Sequence, residues 1–153
     1  MRLPGSALLV LSTLFATSCA STSPSACCAN CEKAQAVVAS VAKQNPDCTR
    51  LTLHCSMQGG AKGCASTDAA RIGKPSDKED LEAMQTGKTI VLEEAGALDV
   101  TVPINNKDGK FQSTCGVTLK PAGMTREQLT AKATKIAKAV EAGLGGACDC
   151  TCK

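Results

Sequence analysis

The chain of 153 residues has almost no aromatic side chains, because it contains no Trp, no Tyr and only two Phe. One of these, Phe15, lies in an apolar N-terminal segment, so Phe111 is the single aromatic residue of the remaining sequence. Proteins that bind single-stranded nucleic acid stack bases on aromatic rings, and quaternary amines are held in aromatic cages. The composition therefore excludes both kinds of site.

Histidine is nearly absent as well, since His54 is the only one. The sequence has no Cys-x-x-Cys-His segment for haem attachment and neither of the hydrolase patterns Gly-x-Ser-x-Gly and His-Glu-x-x-His. Glu93 and Glu94 are adjacent on a predicted strand, so their side chains point to opposite faces and make a poor acid–base pair. We therefore predict that the protein is not an enzyme.

No excess of one charge sign marks a macromolecular partner. The 17 basic and 14 acidic residues are interspersed, and the chain without its first 18 residues carries a charge of about +2. A nucleic-acid footprint would require clustered Lys and Arg. The sequence therefore predicts no nucleic-acid partner.

The N-terminal segment has the layout of a secretory signal peptide. Arg2 gives it a basic start, residues 7–16 are apolar, and small residues directly precede Cys19. It resembles a bacterial lipoprotein leader, in which that cysteine is lipidated and becomes the first mature residue. Cleavage after Ala20 by an ordinary signal peptidase is the alternative. We predict a signal peptide over residues 1–18, a lipid anchor on Cys19, and a location in the bacterial cell envelope outside the cytoplasm.

Cysteine is the residue type in clear excess, at eleven positions. Beyond Cys19 an even number remains, which is compatible with full pairing: Cys27, Cys28, Cys31, Cys48, Cys55, Cys64, Cys115, Cys148, Cys150 and Cys152. Thiols oxidise outside the cytoplasm, and this favours structural disulfides. The alternatives are a soft metal ion, Zn or Cu, held by closely spaced thiolates, and thiol–disulfide exchange. No other cofactor is predicted.

Two groups of these cysteines flank the rest of the sequence, and their spacing of one or two residues suits chelation. We call residues 27–31 (CCANC) the N-terminal cysteine cluster and residues 148–152 (CDCTC) the C-terminal cysteine cluster. His54 directly precedes Cys55 on the polar face of a predicted strand. We expect His54 to be a solvated strand residue, with a role as a fourth metal ligand as the alternative.

Hydrophobic periodicity and turn residues predict the order of helices and strands. Two capping boxes, S-x-x-E at 76–79 and T-x-x-Q at 125–128, mark helix starts. The predicted elements are a helix over 30–43, a strand over 49–55, a Gly-rich loop over 57–65, a turn capped by Asp68, a helix over 76–87, strands over 88–94, 97–104 and 110–120, and a helix from Thr125 to about Gly143. This order is typical of an α+β fold with an antiparallel sheet.

Several segments resemble the single Cache domains of extracytoplasmic bacterial sensors. They are residues 71–77 (RIGKPSD), 81–88 (LEAMQTGK), 99–104 (DVTVPI), 108–110 (DGK) and 116–119 (GVTL). The resemblance covers about residues 30–144. It implies a PAS-like antiparallel sheet packed on a long N-terminal helix, with a small ligand bound between the sheet and the loops over it.

The resemblance also places particular residues. Arg71 and Asp99 are the polar residues that it puts nearest the ligand pocket. It makes the first and last strands neighbours, which would bring Cys55 to Cys115 as a disulfide. It points the outer ends of the first and last helices toward the membrane, which would bring the two cysteine clusters together.

The predicted organisation is a signal peptide (1–18), a tether with the N-terminal cysteine cluster (19–29), a Cache-like domain (30–144) and a Cys-rich tail (145–153). The predicted function is an exported, lipid-anchored, sensor-like domain whose partners are a small-molecule ligand and, through the lipid, a membrane. The alternatives are a thiol-rich metal-binding envelope protein that uses both cysteine clusters, and a purely structural envelope protein. The sequence does not identify a signalling partner.

Overall fold

The computed structural model of the protein describes residues 29–57, 59–105 and 111–145, without the side chains of 29–31 and 111. The predicted signal peptide, the lipidation site Cys19 and the C-terminal cysteine cluster lie outside the described residues, as do Cys27 and Cys28. Within the described part of the chain, no helix is both long and apolar enough to cross a membrane.

Helices flank an antiparallel sheet in the described residues. The elements are α1 (Ala29–Lys43), β1 (Cys48–Met57), β2 (Gly60–Ser66), a short 3₁₀ helix (Ala69–Arg71), α2 (Lys78–Thr86), β3 (Ile90–Glu94), β4 (Ala97–Asn105), β5 (Phe111–Leu119) and α3 (Arg126–Leu144). The five strands pair antiparallel in the order β2-β1-β5-β4-β3. The predicted α+β fold with an antiparallel sheet is confirmed, and the first and last strands are neighbours as the resemblance implied.

One face of the sheet is apolar and packs against α1 and α3. Alternate residues of each central strand point to this face, and the two helices contribute small and branched side chains at helical spacing. The largest fully buried side chains of this core are Leu51, Leu53, Ile104, Leu119, Val38, Val100, Val117 and Val140. Each contributes roughly 1.5–3 kcal/mol of transfer free energy relative to an exposed position.

The start of α1 lies against the end of α3. Lys33, in the first turns of α1, donates a hydrogen bond from Nζ to the carbonyl oxygen of Leu144, at 2.9 Å. The helices approach closely because residue 143 is Gly: a Cβ there would lie 2.7 Å from Cγ1 of Val37. The chain therefore enters α1 and leaves α3 at the same end of the domain.

The predicted Gly-rich loop over 57–65 is wrong, because most of it forms β2. The segment Gly60–Ser66 has few large apolar side chains, so its sequence carries no strand periodicity. It becomes a strand by pairing with β1, where Ser56 faces Ala61 and Thr52 faces Ser66. A tertiary contact therefore decides the conformation of this segment.

Helix α2 starts one residue later than its predicted capping box. Asp77 is the N-cap residue, and its backbone N–H donates to the side chain of Asp80 at 3.1 Å. Ser76 is not the N-cap residue, and its hydroxyl group instead contacts His54. The box at Thr125 and Gln128 that starts α3 is confirmed, with both reciprocal hydrogen bonds present.

Candidate ligand-binding site

The second face of the sheet is polar and lies beneath residues 67–86, which we call the covering segment. Arg50, Thr52 and His54 alternate along β1 with the core residues, so their side chains point to this face. A cavity between the sheet and the covering segment is lined by Arg50, Thr52, His54, Arg71, Asp77, Glu79, Asp80, Glu94, Asp99, Thr101 and Gly116.

The covering segment is held by the outer edge of β2. The backbone N–H of Gly63 donates to the carbonyl oxygen of Lys74 at 3.0 Å, and the backbone N–H of Gly73 donates to the carbonyl oxygen of Gly63 at 2.8 Å. The backbone N–H of Ser76 donates to the carbonyl oxygen of Ala61 at 2.9 Å. Residue 63 must be Gly because a Cβ would overlap the carbonyl oxygen of Arg71. These bonds fix where Ser76 meets the sheet.

His54 is buried in this layer and contacts two residues of the covering segment. Its Nδ1 lies 2.9 Å from Oγ of Ser76 and 3.2 Å from Oδ2 of Asp80. Only 7% of His54 and 4% of Asp80 is exposed, so the expectation that His54 is solvated is wrong. It points to the predicted face, but α2 covers that face.

Burial shifts the titration of both groups toward their uncharged forms. It lowers the pKa of His54 to about 4 and raises the pKa of Asp80 to about 6. At neutral pH His54 is therefore uncharged and Asp80 is ionised. The hydrogen bond of Nδ1 is with the hydroxyl of Ser76, which can donate to the imidazole or accept from it, so the tautomer of His54 sets the direction of this bond.

Ser76, His54 and Asp80 do not have the geometry of a catalytic triad. In a triad the carboxylate and the hydroxyl contact opposite nitrogens of the imidazole, so that Nε2 can take the proton from the nucleophile. Here both contact Nδ1. Asp80 therefore does not orient the imidazole of His54 from the opposite nitrogen as in a triad, and the absence of enzymatic activity stays a prediction.

A second group of charges lies at the other side of the cavity, around Arg50. Its guanidinium donates to Glu94 at 3.1 Å and to Asp99 at 3.2 Å. Asp99 also accepts a hydrogen bond from the hydroxyl of Thr118, at 2.9 Å. The side chains of Arg50 and Asp99 are 24% and 13% exposed, so these charges are largely removed from water.

The cavity is small and carries an excess of negative charge. Its volume is about 20 Å³, which is room for one water molecule. Five carboxylates and two guanidinium groups line it, together with the uncharged His54. A small organic molecule would therefore enter only by displacing side chains or the covering segment. Among the described residues, no group of three or more His, Cys, Asp or Glu side chains is arranged to hold a metal ion.

The structure brings the two sequence-predicted pocket residues into the lining of this one cavity. Arg71 comes from the covering segment, where it pairs with Asp77 at 3.2 Å, and Asp99 comes from β4. Whether either binds a ligand stays a prediction. The sequence reasoning did not identify Arg50 and Asp80 as members of the same site.

A wider groove of about 330 Å³ lies between the β3–β4 turn and the start of α3. Apolar residues, including Leu98, Met124 and Leu129, form part of its wall. Glu93 lines it and pairs with Arg126 at 3.1 Å, whereas Glu94 points into the first cavity. The prediction that these two glutamates face opposite ways is confirmed.

The structure does not bring Cys55 to Cys115, the pair that the resemblance implied. β1 and β5 are neighbours, but Cys55 faces Ser113 and Cys115 faces Leu53, so the two cysteines are offset by two residues. The sulfur of Cys55 instead lies 2.6 Å from the sulfur of Cys64, on β2. Burial raises the pKa of the Cys115 thiol and raises that of Cys48 to about 11, so neither is a reactive thiolate at neutral pH.

Solved structures with a similar fold include sensor domains. A protein from Burkholderia vietnamiensis described as a GAF sensor has a TM-score of 0.54 and 15% identity, over 77% of this chain and 76% of that chain. A GAF domain/HD domain protein from Geobacter sulfurreducens has a TM-score of 0.53 and 7% identity, over 76% of this chain and 92% of that one. The sensor domain of E. coli DcuS is 23% identical over 68% of this chain and 71% of its own, with a lower TM-score of 0.45.

No protein-family model matches the sequence, and no curated protein sequence matches it. At these low identities the structural similarities show the fold alone. The described part of the chain therefore has an α+β fold with an antiparallel sheet, similar to the folds of these GAF proteins.

Proposed function

We propose that this protein is an exported single Cache-like domain that binds a small polar molecule between the polar face of the sheet and the covering segment. The observation that carries the proposal is the set of ionisable groups that line the cavity, of which His54 and Asp80 are buried and Arg50 and Asp99 are largely buried. Burying charges costs free energy, and a face that only had to be covered would be apolar. Shifted pKa values such as those of His54 and Asp80 are concentrated at functional sites.

The chemistry of the lining indicates what such a ligand carries. Because the cavity holds only about one water, a ligand must take over contacts that Arg50 now makes with Glu94 and Asp99. The excess of carboxylates favours a ligand with an ammonium or guanidinium group over a dicarboxylate. Opening of the covering segment is part of binding in this proposal.

A panel of amino acids, amines, guanidino compounds and dicarboxylates tests the proposal by thermal unfolding. The chain lacks Trp and Tyr, so unfolding is followed by far-ultraviolet circular dichroism. We expect a cationic compound to raise the melting temperature, because a ligand at 100 times its Kd stabilises by about 2.7 kcal/mol. Asp99→Asn should lose this response, and Glu127→Gln, which neutralises an exposed carboxylate on α3, should retain it.

Two outcomes of this panel would contradict the proposal. One is that no compound raises the melting temperature of the unsubstituted protein at millimolar concentration. The other is that the Asp99→Asn variant responds as strongly as the unsubstituted protein, since the ligand would then bind outside the cavity. A response to dicarboxylates alone would retain the site and contradict the inferred ligand charge.

We further propose that a lipid on Cys19 anchors the protein to a membrane of the cell envelope. Cys19→Ser should move the expressed protein from the detergent phase to the aqueous phase, because two or more acyl chains bind far more tightly than one. Cys27→Ser is the matched control and should remain in the detergent phase. Unchanged partitioning of the Cys19→Ser variant would rule out the anchor.

Metal binding by the cysteine clusters is the second candidate function. One observation favours it: the hydrogen bond from Lys33 to Leu144 places the start of α1 against the end of α3. The chain segments that carry the two clusters are therefore attached at the same end of the domain. Thiol titration with metal analysis on protein isolated from the envelope discriminates, because reactive thiols with bound Zn or Cu would support metal binding and their absence would oppose it.

A further inference from the structure

Two buried cysteines meet across the first two strands of the sheet. Cys55 on β1 is fully buried, Cys64 on β2 is 5% exposed, and both belong to the apolar core beneath the helices. Their sulfur atoms are in direct contact at 2.6 Å. The two side chains are therefore neighbours in the core.

A β-bulge brings Cys64 to the face of Cys55. The register of β1 and β2 shifts between Leu53, which faces Ala65, and His54, which faces Gly63, so Cys64 is the extra residue. In regular pairing Cys64 would lie opposite His54 and point to the polar face. The bulge turns it to the apolar face instead, beside Ala65.

We propose that Cys55 and Cys64 form a disulfide bond in the native protein and that this bond fixes the bulge. The two thiols lose two protons and two electrons to a disulfide of an exchange partner, such as a thiol oxidoreductase or glutathione disulfide. That disulfide is reduced to two thiols through a mixed disulfide. The predicted location outside the cytoplasm supplies such oxidants.

The bond would also position the candidate site. Cys55 directly follows His54, and Cys64 directly follows Gly63, which makes two backbone hydrogen bonds to the covering segment. The disulfide therefore ties together the strand that carries His54 and the strand that holds the covering segment. Its reduction should loosen the covering segment before the rest of the sheet. This inference depends on no ligand.

Peptide mapping tests the bond directly. Trypsin cleaves after Arg50, Lys62 and Arg71, so the two cysteines fall on separate peptides, 51–62 and 63–71, while Cys115 lies on 111–126. The full chain is isolated from the envelope with its thiols blocked by N-ethylmaleimide at acid pH. We expect peptide 51–62 linked to peptide 63–71. Blocked thiols on both peptides, or a link from either one to 111–126, would overturn the proposal.

Hydrogen exchange tests the effect on the covering segment. In the oxidised protein, Cys64→Ala should speed exchange of the backbone amides of Gly73 and Ser76 by about tenfold or more, because local opening becomes easier. Cys115→Ala removes another buried sulfur from the same face of the sheet and should leave these amides as slow as in the unsubstituted protein. Equal exchange in the Cys64→Ala variant and the unsubstituted protein would contradict the positioning role.

Discussion

Deletion of residues 147–153 is expected to lower the melting temperature of the oxidised protein strongly and that of the reduced protein only slightly. The deletion removes the C-terminal cysteine cluster but leaves α3 intact, because it begins after Leu144, the last residue of that helix. Because Lys33 bonds to Leu144, the N-terminal cluster is attached within a few residues of the same place. A disulfide between the clusters would clamp α1 to α3.

The expected effect is large because the clamp would close most of the chain into a loop. A cross-link that closes a loop of about 100 residues stabilises by about 4.7 kcal/mol in the chain-entropy model, less any strain. The measurement is the melting temperature by circular dichroism, with and without a thiol reductant. If the clusters instead hold a metal ion, a chelator should lower the melting temperature of the reduced protein.

Two variants separate the thiols from the tail that carries them. Replacing Cys148, Cys150 and Cys152 together by Ser keeps the length of the tail and should reproduce the deletion. If the deletion destabilises and the Ser variant does not, packing of the tail is responsible and the clamp is wrong. Equal loss of stability under oxidising and reducing conditions would also contradict it.

The sheet and helices were largely predictable because their apolar residues recur with a clear period. In β5, Cys115, Val117 and Leu119 alternate with polar residues, and α3 repeats apolar residues at helical spacing after a capping box. β2 shows the limit of this reasoning. Its sequence GAKGCAS has no such pattern, and only the pairing with β1 makes it a strand.

The candidate site was predictable only in part, because it depends on how α2 packs over the sheet. Alternation along β1 places His54 and Arg50 on the polar face, but that pattern does not show whether the face meets water or a helix. The sequence predicts only that Asp80 lies in the first turn of a helix. Its contact with His54 arises from the packing of that helix over the sheet. Arg71 and Asp99 entered through the family resemblance rather than through any local pattern.

The cysteine pairing was beyond sequence reasoning for a related reason. Adjacency of β1 and β5 is a property of the fold, whereas the contact that Cys55 makes depends on the register of single residues. A shift by one residue in β2 exchanges the two faces of a strand. The bulge at Cys64 is such a shift, and no residue type in that segment predicts a bulge.

His54→Asn and Asp80→Asn should change the slope of the free energy of unfolding against pH in opposite directions. His54 has a pKa of about 4 in the folded protein against an ordinary value of 6.5, so the unfolded chain binds its proton more readily and stability falls as pH drops from 6.5 to 4. Asp80 has a pKa of about 6 against 3.8, so the folded protein binds its proton more readily and stability rises as pH drops from 6 to 3.8.

In the unsubstituted protein these two contributions oppose each other over nearly the same pH range. At 1.36 kcal/mol for each pKa unit, each amounts to about 3 kcal/mol, so together they largely cancel. His54→Asn leaves the contribution of Asp80, and acidification from pH 7 to 4 should then stabilise the variant relative to the unsubstituted protein. Asp80→Asn leaves that of His54, and acidification should destabilise the variant.

Urea denaturation at pH 4, 5, 6 and 7 measures these slopes, and the double variant supplies the control. Asn at position 80 can still accept the backbone N–H of Asp77, so the start of α2 is retained. With both groups replaced, stability relative to the unsubstituted protein should be independent of pH over this range. Burial governs these slopes only if each single variant differs in slope from the double variant, so equal slopes in all three variants would contradict the shifted pKa values of His54 and Asp80.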